Sequence, residues 1–244
     1  FSKIKSFIRE KVDKAVQYAG FKRTSLLEFR PIQEKKIFCI GRNKTGTRSL
    51  IDAIGELGYA IGDKQHAEKL VDSYKKRDFE PFIEHCKTAT AFKDITFSWP
   101  FTFIVMDHAF PGSKFILTVR ESAEENYQSW IRHQSEIIGV DRIPNPEELK
   151  KCSLKYQGWM YEIKHAVQPM PEGDLYNKEA FMHLYQSHNE QVQTYFSHRP
   201  DDLLVLNVAD KDSYQRLCDF LGDEPLREQM PWKNRTSSKI SPDE

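Results

Sequence analysis

The chain has 244 residues, 39% of them apolar and 30% charged, with lysine plus arginine equal to aspartate plus glutamate at 36 each. That length and apolar content suit one large soluble globular domain, or a domain carrying an insertion, with enough apolar residues for a sizeable core. The balanced charge gives no support to bulk binding of nucleic acid or anionic membrane, and leaves room for a local basic pocket.

No segment approaches the roughly 18 uninterrupted apolar residues of a membrane span. The chain opens on Phe1 rather than Met, which reads as a processed or trimmed chain. Residues 1–18 space Ile4, Phe7, Ile8, Val12 and Val16 at helical intervals with a basic opposite face. This predicts a peripheral N-terminal helix within residues 1–30, or else a membrane-surface helix. After Pro31 comes a buried strand at 36–40, a loop, and a helix from Thr47 to Leu57 that Gly58 ends. Further strands are expected at 89–94, 114–119 and 202–208. Helical patterns run over 64–76, 122–137, 178–198 and 211–221. Residues 139–177, with "RIPNPEE", "QPMPEGD", Tyr156, Trp159 and Tyr161, read as a lid or substrate insertion rather than a sheet element. Strands alternating with helices predict a single α/β domain over 1–244. Its three α/β/α layers enclose a central, mostly parallel sheet around a P-loop-like nucleotide-binding core.

Cys39, Cys86, Cys152 and Cys218 are widely separated and lack paired CxxC spacing, so neither a zinc site nor a disulfide framework is expected. Two glycosylation sequons occur, Asn43-Lys44-Thr45 and Asn234-Arg235-Thr236. A glycan on the first would block the loop after the first strand, which favours a cytoplasmic location.

That loop, "IFCIGRNKTGTRSL" over 37–50, carries the chemistry. A glycine-bearing turn from a buried strand into a helix N-terminus aims backbone N–H groups and the positive end of the helix dipole at one spot, which is an anion site. Gly41 and Gly46 have the spacing of an ATPase loop, but Thr47 follows the second glycine and the lysine, Lys44, precedes it. The strand "KFILTVR" ends in Arg120, where a magnesium-holding aspartate would stand in an ATPase. A guanidinium in that place offers a second phosphate position and no support for a metal. The expected ligand is an anion with two separated phosphate-like groups, bound by positive poles at the two ends of the sheet's rim without a divalent ion.

At these residues the chain resembles the sulfotransferases that use 3′-phosphoadenosine 5′-phosphosulfate (PAPS). "KTGTRSL" is similar to the family's 5′-phosphosulfate loop, with Arg48 where many relatives have a hydroxyl. "FPGSKFILTVRESAEENYQSW" is similar to its 3′-phosphate strand and helix, and "LLVLNVADKDSYQRLCDFLG" with "PWKNRT" to its closing elements. The resemblance implies sulfuryl transfer from PAPS to a hydroxyl or amine of a small-molecule or carbohydrate acceptor, leaving adenosine 3′,5′-bisphosphate. It also implies that no metal is required. A sulfuryl group carries about one fewer negative charge than a terminal phosphoryl, so backbone dipoles and a lysine suffice for an in-line transition state.

By the same resemblance, Lys44 serves the 5′-phosphate and the bridging oxygen, while Arg42, Asn43, Thr45, Gly46, Thr47, Arg48 and Ser49 complete the loop. Arg120 and Ser129 serve the 3′-phosphate, with Ser122 as the alternative because the arginine-to-serine interval is one residue longer than usual. Lys233 and Arg235 close over the nucleotide, or are surface charge. Some relatives place a histidine base just after the second strand and others a carboxylate; here Asp94 stands there, with Lys93 beside it. Asp94 is therefore the expected base, or else a helix cap. His66, His85, His108 and His133 are the alternatives. Trp99, Trp130, Tyr156, Trp159 and Tyr161 are expected in the acceptor pocket or in the core. Two competing readings are a metal-dependent nucleotide kinase or NTPase, and a non-catalytic nucleotide-binding protein.

Overall fold

The computed structural model describes residues 30–93, 95–168, 170–171 and 173–231. The peripheral helix expected at 1–18, the base candidate Asp94, and the loop residues Lys233 and Arg235 lie outside the described residues.

Four strands form one sheet: β1 (Ile37–Cys39), β2 (Ala91–Lys93), β3 (Lys114–Thr118) and β4 (Leu203–Leu206), all at the places the apolar runs predict. Their order is β2-β1-β3-β4 and every pairing is parallel. The side-chain alternation of a strand splits each run between two faces. Ile37, Cys39, Ala91, Ile116 and Leu206 pack on one side with Leu50, Ile54, Tyr214 and Leu217. These last four come from α1 (Thr47–Glu56) and α10 (Ser213–Leu221). Phe38, Ile40, Phe92, Phe115 and Leu117 pack on the other side in a larger, aromatic-rich core. Phe38 lies opposite both Phe92 and Phe115 in register, with ring centroids at 5.8 and 5.3 Å. Both faces of the parallel sheet are covered, which is the three-layer α/β/α arrangement.

The larger core is roofed by α6 (Ala123–Ile138) and α9 (Lys178–Tyr195), both expected from periodicity. The 64–76 helix is divided into α2 (Lys64–Ala67) and α3 (Val71–Lys75). At the break, the Glu68 carbonyl accepts the indole N–H of Trp159 at 3.0 Å, an interaction from 91 residues away that local periodicity does not register. Two more helices lacked a sequence expectation, α4 (Glu80–Cys86) and α5 (Thr102–Ala109). The α5 segment "TFIVMDHA" is nearly continuously apolar, so its period gives no amphipathic signal. Over 139–177, where a lid or substrate insertion is expected, the chain forms α7 (Pro146–Lys151), opened by an Asn145–Glu148 capping box, and α8 (Trp159–Val167). Trp159, Met160, Ile163 and Val167 of α8 are buried in the larger core.

His188 of α9 ties that helix to the sheet. Its Nε2–H donates to the Ile40 carbonyl at 2.9 Å, just past β1. Burial, with Arg42 nearby, lowers its pKa from the usual 6.5 to about 3. The unfolded chain therefore takes up a proton at this residue between those values while the folded chain does not, so stability falls as pH drops through that window. Urea unfolding at stepped pH should show wild type losing about 1.4 kcal/mol more per pH unit than His188→Gln below pH 6.5, because glutamine keeps a donor and cannot titrate.

Candidate active site

The loop between β1 and α1 is shaped by contacts that only its own residues allow. A Cβ on Gly41 would lie 2.0 Å from Thr118 Oγ1 and 2.6 Å from the Thr118 carbonyl, so glycine lets β1 leave the sheet against the end of β3. Thr45 is fully buried; its Oγ1 lies 2.6 Å from both the Arg42 carbonyl and Thr118 Oγ1. Its hydroxyl therefore serves the loop's own turn, and Thr45 is not among the cavity-lining residues. Lys44 has φ 67°, a left-handed conformation that lysine adopts at a cost. Arg120 Nε–H donates to the Lys44 carbonyl at 2.7 Å, and Asn126 Nδ2–H to the Asn43 carbonyl at 2.8 Å. Side chains from the segment after β3 thus hold both crown carbonyls.

Gly46 follows at φ 93° and begins α1 with no side-chain cap and no acidic residue in the first turn. The first N–H groups of α1 keep their positive potential uncancelled by a carboxylate side chain. Arg48 in this turn is exposed and reaches back to Asp52 at 3.2 Å.

Arg120 is two residues beyond β3. Its backbone N–H donates to the Tyr185 hydroxyl at 2.9 Å and its guanidinium pairs with Glu125 at 2.9 Å. The two positive poles expected at opposite ends of the rim instead belong to neighbouring central strands, because β1 and β3 pair directly. Ser122 accepts the Glu125 N–H at 3.1 Å and caps α6. Ser129, nearly two turns further along α6, lines the cavity that these elements surround.

This cavity measures about 490 Å³ and lies at the carboxyl ends of β1, β2 and β3. Arg42, Asn43, Lys44, Gly46, Thr47, Arg48, Ser49, Arg120 and Ser129 all line it. Among the described residues, eight lysine and arginine side chains line it against one carboxylate, Glu68. Glu68 is 3% exposed and ion-paired with Lys155 at 2.5 Å and Lys64 at 3.4 Å. Arg42 is buried and donates to the Ser98 carbonyl at 2.9 Å; burial lowers its pKa to about 10, so it stays charged at neutral pH.

Of the four histidines considered, only His133 lines the cavity. Desolvation, with Lys44 and Lys64 nearby, lowers its pKa despite Glu136 at 3.7 Å. His66 and His85 stack on each other at 5.1 Å away from the lining, and His108 is also outside it. Trp99, Trp130 and Trp159 line the cavity; Tyr156 and Tyr161 do not. Tyr156 instead donates to Glu162 at 2.5 Å, and Tyr161 packs on His165 at 4.4 Å. Residue types alone did not single out Lys64, Glu68, Lys155 and Lys164; they reach the cavity from the split 64–76 segment and from residues 139–177.

A family model described as a sulfotransferase domain matches residues 36–239, from the first residue before β1 to beyond α10. The chain belongs to that family. No curated protein sequence matches it. Family membership makes the protein a transferase of sulfuryl groups, and the loop and the cations share one cavity. Among the described residues of this sulfotransferase-domain protein, no helix is long and apolar enough to cross a membrane.

A Cβ on Gly46 would sit 2.2 Å from Val208 Cγ2, in a backbone conformation that side chains rarely adopt. Gly46→Ala should therefore destabilise the fold by about 1–3 kcal/mol. Adding Val208→Ala should recover part of that loss by relieving the clash and leave the backbone cost in place. Denaturant unfolding of the two single variants and the double variant measures the coupling.

Proposed function

We propose that the protein transfers the sulfuryl group of PAPS to a hydroxyl or amine of a small acceptor by in-line displacement, releasing adenosine 3′,5′-bisphosphate. The observation that carries this reading is the hydrogen bond from Arg120 to the Lys44 carbonyl, which unites the strand-end arginine and the loop lysine in one cation-rich cavity. The residues present fit such a donor: a loop whose glycines allow close packing on Thr118 and Val208, an uncapped helix start, and cations in place of carboxylates.

In this reading the α1 amides and Lys44 hold the 5′-phosphate, and Lys44 stabilises the charge that develops on the bridging oxygen as the S–O bond breaks. Arg120 and Ser129 hold the 3′-phosphate, Thr47, Arg48 and Ser49 add donors at the other end, and Lys233 and Arg235 close the nucleotide side. A base takes the acceptor's proton as its oxygen or nitrogen bonds to sulfur. Asp94 follows Lys93 at the cavity wall in sequence, and His133 lines the cavity with its pKa held down, so that it remains neutral and able to accept a proton near pH 7.

Thermal shift tests the donor. Saturating adenosine 3′,5′-bisphosphate at one hundred times its dissociation constant should stabilise the fold by about 2.7 kcal/mol without metal, a rise of roughly 5–10 °C. Lys44→Met and Arg120→Ala should each abolish most of that rise. A larger shift with magnesium ATP would favour the kinase reading, and a bisphosphate shift without turnover of labelled PAPS on any acceptor would favour a non-catalytic binder.

The base is identified by comparing Asp94→Asn with His133→Asn. Removing the true base should lower kcat by about 10²–10⁴-fold with little change in bisphosphate affinity, and the other variant should stay close to wild type. If His133 is the base, its NMR titration midpoint should lie below about 6.5 and move up in Lys64→Met.

A further inference from the structure

Lys164, on α8, is 2% exposed, and its Nζ has no hydrogen-bond partner among the described residues. It lies 3.8 Å from the ring centroid of Trp130 and 4.0 Å from that of Tyr176. Aromatic faces attract a cation but offer no lone pair to its three N–H groups. Lys164 and Trp130 both line the cavity. So does Trp99, whose buried indole N–H also lacks a partner. Lysine and indole nitrogens are donors only, so both unanswered groups in this wall require oxygen acceptors. Glu68, the one carboxylate among the described lining residues, is already paired with Lys64 and Lys155.

We propose that Lys164, backed by the rings of Trp130 and Tyr176, is the subsite for an oxyanion carried by the acceptor, which makes the acceptor an anionic compound. It bears the hydroxyl or amine to be sulfated together with a carboxylate, sulfate or phosphate group. Calling this molecule the acceptor rests on the sulfuryl-transfer reading; the oxyanion subsite rests on Lys164 and its surroundings. Desolvation disfavours the Lys164 cation when no counter-charge is present, and an oxyanion alongside supplies that charge. Because the donor nucleotide also carries oxyanions, the test separates the two sources.

Benzoate and its neutral isostere benzamide are titrated by ligand-observed NMR into the free protein and into protein saturated with adenosine 3′,5′-bisphosphate. Wild type should bind benzoate about tenfold tighter than benzamide in both forms, the worth of a hydrogen bond to a charged group. Lys164→Met should erase that preference while changing the bisphosphate dissociation constant by less than about twofold. It should also melt at or above the wild-type temperature, since an unpaired buried amine is replaced by an apolar chain of similar shape. Lys164→Gln gives the same reading if the methionine variant does not fold. Equal affinity for the two probes in wild type, including no measurable binding of either, overturns the proposal, as does a benzoate preference that persists in the variant. Competition between bisphosphate and benzoate, or bisphosphate binding weakened by Lys164→Met, assigns the subsite to the nucleotide and also overturns it. If bisphosphate fails to bind but the Lys164-dependent preference holds, the oxyanion subsite stands and the PAPS reading falls.

Discussion

The Arg120 guanidinium holds the Lys44 carbonyl from the neighbouring strand, and the geometry of the cavity mouth follows from that bond. It keeps Lys44 in a left-handed conformation that an isolated chain would leave, at a cost of order 1–3 kcal/mol. Asn126 repeats the device one residue earlier, and Thr45 closes the turn from below through Thr118. All these restraints come from β3 and the segment after it, so the loop's shape depends on the parallel pairing of β1 with β3. A strained crown braced from outside resists collapse when a ligand leaves, and this preorganisation is what electrostatic catalysis requires.

The cavity's second property is its charge. A chain with no net charge concentrates eight cations and a single carboxylate in one lining among the described residues. Mutual repulsion and desolvation make this arrangement costly without a ligand, and the chain relieves it unevenly. Glu68 answers two lysines, and Glu125 and Asp52 draw on Arg120 and Arg48. Lys164 receives only ring faces. A buried donor without a partner carries a desolvation cost that an acceptor placed beside it would remove.

The 139–177 segment matters for a related reason. Without α8, the larger core would lose Trp159, Met160, Ile163 and Val167, and the cavity would lose these four residues and Lys164 from its lining. The same residues of this helix thus belong both to the core and to the cavity lining. A residue such as Lys164 tolerates poor solvation because its neighbours' packing holds it there.

The four strands, their alternation with helices and the loop with Gly41, Lys44 and Gly46 were legible in the amino-acid order alone. Each is written in local periodicity or in a short spacing whose physics is local. The same holds for Arg120, since a charge ending an apolar strand needs no partner to be noticed. The closeness of Arg120 to Lys44, the inward commitment of the Thr45 hydroxyl, and the placing of His133 rather than three other histidines in the cavity lining depended on contacts between residues far apart in the chain. The split at Glu68 and the burial of Lys164 have the same origin, being set by Trp159 and Trp130 from other helices. Sequence determined which residue types were available at the rim of the sheet. Tertiary structure decided which of them share a cavity, because strand order and long-range hydrogen bonds bring distant side chains together and bury them.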